Sequence, residues 1–230
     1  MDLAFVISTT AVDKDKNFEK TKEIIKETVK TFGLHRVRYS LITYGATPDV
    51  RIRFDNVFDT EEELGELVDN VKKAFGDAAL DKALEEARYL FALAEDARPK
   101  AMKVLVVITD KRSNSSEEEV QIASEKLEDD GVRVIAIVLG DESDPVTPEI
   151  IKPENESGPK EVVKQLVKTV LNGLLLATRL FQPSSLLPLI MNPSNKQTIY
   201  SVPSEETLAS FCPVICIPCF KFVLFADTTL

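Results

Sequence analysis

The stretch Val104 to Ile108 is five consecutive apolar residues, four of them β-branched, and it ends in Thr109 and Asp110. An unbroken run of this kind has no polar face to show water. It fits a strand covered on both sides, as in the middle of a parallel sheet between two layers of helices. A carboxylate at the carboxyl end of such a strand lies in the crevice where open α/β sheets hold their ligands. Asp110 is therefore the first residue to examine for function.

The remaining segments arrange themselves around that strand. Leu3 to Ile7 is a second all-apolar run, expected beside the first. From Asn17 to Phe32 the residues Phe18, Ile24, Ile25, Val29 and Phe32 recur at helical spacing among lysines and glutamates, and Gly33 is placed to cap the end. Arg36 to Tyr44 and Asp49 to Phe54 alternate as strands around a turn at Gly45 to Pro48, which predicts a hairpin with its second member at a sheet edge. Thr60 and the acids Glu61 to Glu63 predict a helix start, with Leu64, Leu67, Val68, Val71 and Phe75 as its stripe and Gly76 as its end. Ala79 to Ala94 predicts another helix. Ser115 or Ser116 caps a helix running through Asp129, Val132 to Leu139 is a further buried strand, Glu149 to Lys152 a short one, and Pro159 to Leu171 a last helix. The order β-α-β-β-α-α-β-α-β-β-α predicts a doubly wound α/β fold: a mostly parallel sheet with one antiparallel edge strand and helices on both faces.

Composition narrows the function. A net charge of -10 leaves no basic face for a phosphate backbone, so nucleic acid is not an expected partner. The three cysteines, Cys212, Cys216 and Cys219, stand near the end of the chain, so no disulfide staples the main body. Their spacing matches an iron-sulfur motif, but prolines interrupt it and no barrel follows, so chance is the better account. His35 is the sole histidine and has no nucleophile or acid pattern beside it. Neither G-x-x-x-x-G-K-[ST] nor G-x-G-x-x-G occurs, and no enzyme is expected. Asp13, Asp15 and Asn17 open like an EF-hand loop, yet Phe18 and Ile24 stand where the glycine and the bidentate glutamate belong.

Taken together and in order, the blocks MDLAFVIST, YSLITYG, ALDKALEEARYLF, KVLVVITDKRS and GVRVIAIVLGDES resemble those of a von Willebrand factor type A domain, over residues 1 to about 172. The resemblance implies a doubly wound fold whose usual work is binding proteins in adhesion or extracellular matrix. It also implies a metal-ion-dependent adhesion site, built from an Asp-x-Ser-x-Ser loop, a threonine and an aspartate. Those positions carry Ser8, Thr10, Val12, Ala78 and Asp110, so the site is degenerate and only its last aspartate is kept. One carboxylate and one hydroxyl fall short of the oxygens Mg²⁺ requires, so no cofactor is expected and Asp110 reads as a strand-end acid. Asp13, Asp15, Asp77 and Asp81 are near enough in sequence to supply oxygens in another geometry, which keeps Mg²⁺ as the alternative. Asp141 to Pro148 is shorter than the helix the family fits there.

Asn114-Ser-Ser and Asn155-Glu-Ser are acceptor sequences for N-glycosylation. A glycan on Asn114 would crowd the rim beside Asp110. Residues 173–230 lose periodicity and gather prolines at 183, 188, 193, 203, 213 and 218, which predicts an irregular, poorly ordered extension after a domain of residues 1–172. No stretch there is a clean membrane span, and no export signal precedes Asp2. The expected function is a non-catalytic, metal-independent protein-binding module, extracellular and secreted, with a matrix or cell-surface protein as partner. A cytoplasmic scaffold domain within a larger assembly is the alternative.

Overall fold

The computed structural model describes residues 1–10, 15–73, 77–92, 98, 100–110, 113–140, 146–147, 149–154 and 157–180. The chain separates into two units, Met1–Leu180 and Phe181–Leu230. The described residues form β1 (Asp2–Ser8), α1 (Asp15–Phe32), β2 (Arg38–Tyr44), β3 (Pro48–Ile52), α2 (Glu61–Asp69), α3 (Leu80–Ala92), β4 (Lys103–Thr109), α4 (Glu117–Asp129), β5 (Val132–Val138), β6 (Ile150–Ile151) and α5 (Pro159–Leu180).

Six strands line up as β3-β2-β1-β4-β5-β6, all parallel except the β2–β3 hairpin at one edge. The two all-apolar runs are neighbours, with Phe5 opposite Val106 and Ile7 opposite Ile108. Successive strand side chains point to opposite faces, so each run feeds two cores. Leu3, Phe5 and Ile7, with Val104, Val106 and Ile108, pack against Phe18, Ile24 and Ile25 of α1, Leu64 and Val68 of α2, and Val162 and Leu166 of α5. Ala4, Val6, Leu105 and Val107 face Leu80, Leu84 and Leu90 of α3 and Val120 and Leu127 of α4. Burying each of these larger side chains contributes about 1.5–3 kcal/mol, which accounts for a body held by packing without a disulfide.

Three expectations change. β2 was expected to alternate, but every residue from Tyr39 to Tyr44 is buried, because β2 lies inside the sheet and not at its edge. Its polar members are satisfied there: Ser40 Oγ donates to the Ile52 carbonyl at 2.7 Å and Thr43 Oγ1 to that of Asp49 at 3.3 Å. The helix expected to run to Phe75 ends at Asp69, where Lys22 Nζ donates to the Asp69 carbonyl at 3.2 Å and Lys26 pairs with its carboxylate at 2.8 Å. Positive charge at a helix carboxyl end stabilises that stop. Phe75 and Gly76 lie outside the described residues. Finally, α5 continues to Leu180, past the expected end at Leu171. Leu174, Leu175, Leu176 and Ala177 are strong helix formers that carry the helix through Gly173, and the first proline comes only at 183.

The hairpin, the edge position of β3, the Ser116 cap of α4 and the short β6 are as the sequence predicts. Gly131 follows α4 at φ 75°, a left-handed conformation that suits glycine. Tyr39 is buried and donates its hydroxyl to the Gly33 carbonyl at 2.9 Å. Burial, with a smaller contribution from the negative charge of Glu61, pushes its phenol above the ordinary value of 10.0. The fold favours the neutral phenol, so this contribution is complete below pH about 10 and is lost as pH rises beyond it. Tyr39→Phe is expected to cost about 1 kcal/mol at neutral pH and to flatten the alkaline loss of stability. Denaturant titrations across pH 8 to 11 (about one unit either side of the free phenol value) check this, and parallel curves for the two proteins would contradict it.

Candidate functional site

From β1 the chain passes outward to β2 and β3, whereas β4 starts the march to the other edge, so the strand order reverses between β1 and β4. Ligand crevices of open α/β sheets form at such a reversal, outside the carboxyl ends of the strands. Ser8 ends β1 there, Tyr44 ends β2, and Asp110 follows β4.

The loops at this end are tied to one another. Thr9 donates to the Tyr44 carbonyl twice, through its backbone N-H at 2.9 Å and its hydroxyl at 3.0 Å. Ser8 Oγ and Thr10 Oγ1 share a hydrogen bond of 3.1 Å, and the Thr10 N-H donates to Ser8 Oγ at 3.3 Å. Gly45 sits against Thr10, Thr9 and Asp77, and its carbonyl accepts from the Ala79 N-H at 2.8 Å. Ala78 and Asn114 exchange two bonds: the Ala78 N-H donates to Asn114 Oδ1 at 2.9 Å, and the Asn114 N-H to the Ala78 carbonyl at 2.8 Å. Ser115 Oγ then donates to Asp81 Oδ1 at 2.5 Å and accepts from the Asp81 N-H at 3.3 Å. On the far side, Gly140 lies directly against the backbone of Asp110.

Of the positions matched to the adhesion site, Ser8, Thr10, Ala78 and Asp110 all stand at this strand-end face, while Val12 lies outside the described residues. Ser8 and Asp110 are half-buried, and Thr10 and Ala78 are buried. The Ser8 and Thr10 hydroxyls are hydrogen-bonded to each other, Ala78 carries a methyl side chain, and Asp110 is the one carboxylate among the matched positions. Asp81 is occupied by Ser115, Asp77 is exposed, and Asp13 lies outside the described residues. Among the described residues no three His, Cys, Asp or Glu side chains gather as a ligand group.

The clamp between Asn114 and Ala78 was not legible in advance. Asn114 drew notice only as a glycan acceptor, and its partner lies 36 residues away, beyond any local pattern. Asn114 is exposed, and Ser116 of the same tripeptide caps α4 through the Glu119 N-H at 3.2 Å. Asn155 and the three cysteines lie outside the described residues. His35 is exposed ahead of β2. No helix of the described residues is long and apolar enough to cross a membrane.

Comparison with known proteins agrees with this geometry. The chain is 27% identical over 150 residues to the human collagen alpha-6(VI) chain, covering 63% of this chain and 6% of the collagen. It is 26% identical over 160 residues to the zebrafish von Willebrand factor A domain-containing protein 1, covering 67% of this chain and 31% of that protein. Among solved structures, proximal thread matrix protein 1 from the mussel byssus superposes with a TM-score of 0.63 at 19% identity, over 72% of this chain and 46% of the mussel protein. The chain thus spans a small part of the curated relatives it matches. The family described as von Willebrand factor type A domain matches residues 2–176, well over half of the chain, so the chain belongs to the von Willebrand factor type A domain family.

Proposed function

We propose that this chain is an extracellular protein-binding module of the adhesion and matrix type, that it engages its partner without a bridging cation, and that it catalyses no reaction. The observation that carries this reading is the strand-end face itself. The described residues of its loops present backbone and hydroxyl groups already bonded to one another, with a methyl group at Ala78. Relatives of matrix type, the collagen chain and the mussel thread protein, support the adhesive setting. A glycan on exposed Asn114 fits the secretory route, and its occupancy in the native source tests that part of the reading.

Pull-down from an extracellular-matrix extract with the full chain, in chelator and in millimolar Mg²⁺, is expected to retain the same partners in equal amounts. Asp110→Ala is expected to lower stability more than affinity. Calorimetry that finds Mg²⁺ or Mn²⁺ bound at micromolar strength, and lost in Asp110→Ala, would restore a metal-bridged mechanism and sink this one.

A further inference from the structure

At the edge opposite the hairpin, β6 and α5 leave an open cleft of about 580 Å³ lined by Ile150, Ile151, Lys152, Gln165, Lys168 and Thr169. Ile151 is buried in the core, but Ile150 remains 43% exposed on the last strand of the sheet. β6 pairs with β5 on its inner side, and no described strand pairs with its outer side. An unpaired edge beside an apolar side chain is a template for an added extended segment.

The rim of this cleft has the opposite charge to the chain as a whole. Two of the lining residues are lysines, Lys152 directly after β6 and Lys168 on α5. Both are exposed. In a chain of net charge -10, a cleft whose charged lining residues are both lysines is a selective feature. The wall behind it is fixed: Arg133 holds Glu149, just before β6, at 2.7 Å, and donates to the Val170 carbonyl of α5 at 3.0 Å.

We propose that the β6–α5 cleft docks an extended acidic peptide segment of a partner protein, which adds to the outer edge of β6, places an apolar side chain on Ile150 and sets its carboxylates against Lys152 and Lys168. A sulfated polysaccharide would use the lysines but has no use for Ile150 or for an unpaired strand edge, so a peptide is the better match. The inference deepens the protein-binding reading above and rests on it.

The test is fluorescence anisotropy of the full chain with a labelled peptide of alternating glutamate and valine. Lysine-valine and glutamate-serine peptides serve as controls. Only the glutamate-valine peptide is expected to bind well, less so as salt rises. Lys152→Glu/Lys168→Glu is expected to weaken it about tenfold, and Ile150→Ser to weaken it as well, both with unchanged circular dichroism. Absence of binding overturns the proposal. Heparin binding that ignores Ile150→Ser would assign the lysines to a polysaccharide instead, and self-association abolished by the charge reversal would assign the cleft to a second copy. Matrix partners retained undiminished by the charge-reversed chain would overturn this surface and leave the binding-module reading standing.

Discussion

Gly140→Ala is expected to destabilise the domain by about 3 kcal/mol, at the upper end of what overpacking costs. A Cβ at this position would lie 1.8 Å from the Asp110 carbonyl oxygen and 2.7 Å from its carbonyl carbon. Those are backbone atoms of the loop leaving the central strand, not the end of a flexible side chain that could swing away. Nor can β5 withdraw easily, because the Leu139 N-H just before Gly140 donates to the Thr109 carbonyl at 2.8 Å. Added volume must therefore separate the ends of β4 and β5. Gly65→Ala makes the control, since its new methyl group would meet only the Lys26 side chain at 3.5 Å, within ordinary contact. As a helix-interior change it is expected to gain up to about 1 kcal/mol. Thermal melts should show Gly140→Ala lower by roughly 6–12 °C, and a melting temperature equal to that of the parent chain would refute the close approach. Because the displaced backbone is that of Asp110, the same variant should also weaken partner binding if the strand-end face is used.

Gly140 against Asp110 is a contact that no local pattern in the sequence announces. The strands and the two helical layers are legible because apolar runs and helical spacing are local signals, and β1 beside β4 follows from two runs with no polar face. What local signals could not supply was pairing across distance. That β2 is buried throughout depends on helices packing against both faces of the sheet, while its own residues read as alternating. Likewise Asn114 with Ala78, Arg133 with Val170, and Gly140 with Asp110 each join segments far apart in the chain. At the site, the identities at Ser8, Thr10, Ala78 and Asp110 already indicated which ligand oxygens were missing. The hydrogen bond between the Ser8 and Thr10 hydroxyls depends on the turn of the loop, which the identities alone do not show.

Loss of the guanidinium at Arg98 should produce the second large effect, at the end of the sheet opposite the candidate site. Asp2 begins β1 between Arg38 of β2 and Lys103 of β4, and its side chain is only 3% exposed. Arg98 reaches it with Nε at 2.9 Å and Nη2 at 2.5 Å, and also donates to the Met1 carbonyl at 2.5 Å. One side chain thus joins the approach to β4 with the start of β1. Removing it leaves a desolvated carboxylate without its counter-charge, which typically costs about 3–5 kcal/mol. Arg98→Ala is expected in that range. Arg98→Lys should fall between, because a point charge cannot reproduce two donors aimed at one oxygen together with a third bond to a carbonyl. In Asp2→Ala/Arg98→Ala the loss should be smaller than the sum of the single losses by about 1–3 kcal/mol, the coupling that a shared pair implies. Urea denaturation of the four proteins completes the cycle. Additive losses, or an Arg98→Ala cost under about 1 kcal/mol, the level of an exposed surface pair, would show that the ion pair does not hold these strands. Affinity for a partner at either proposed surface should stay unchanged throughout, since neither surface includes Asp2 or Arg98.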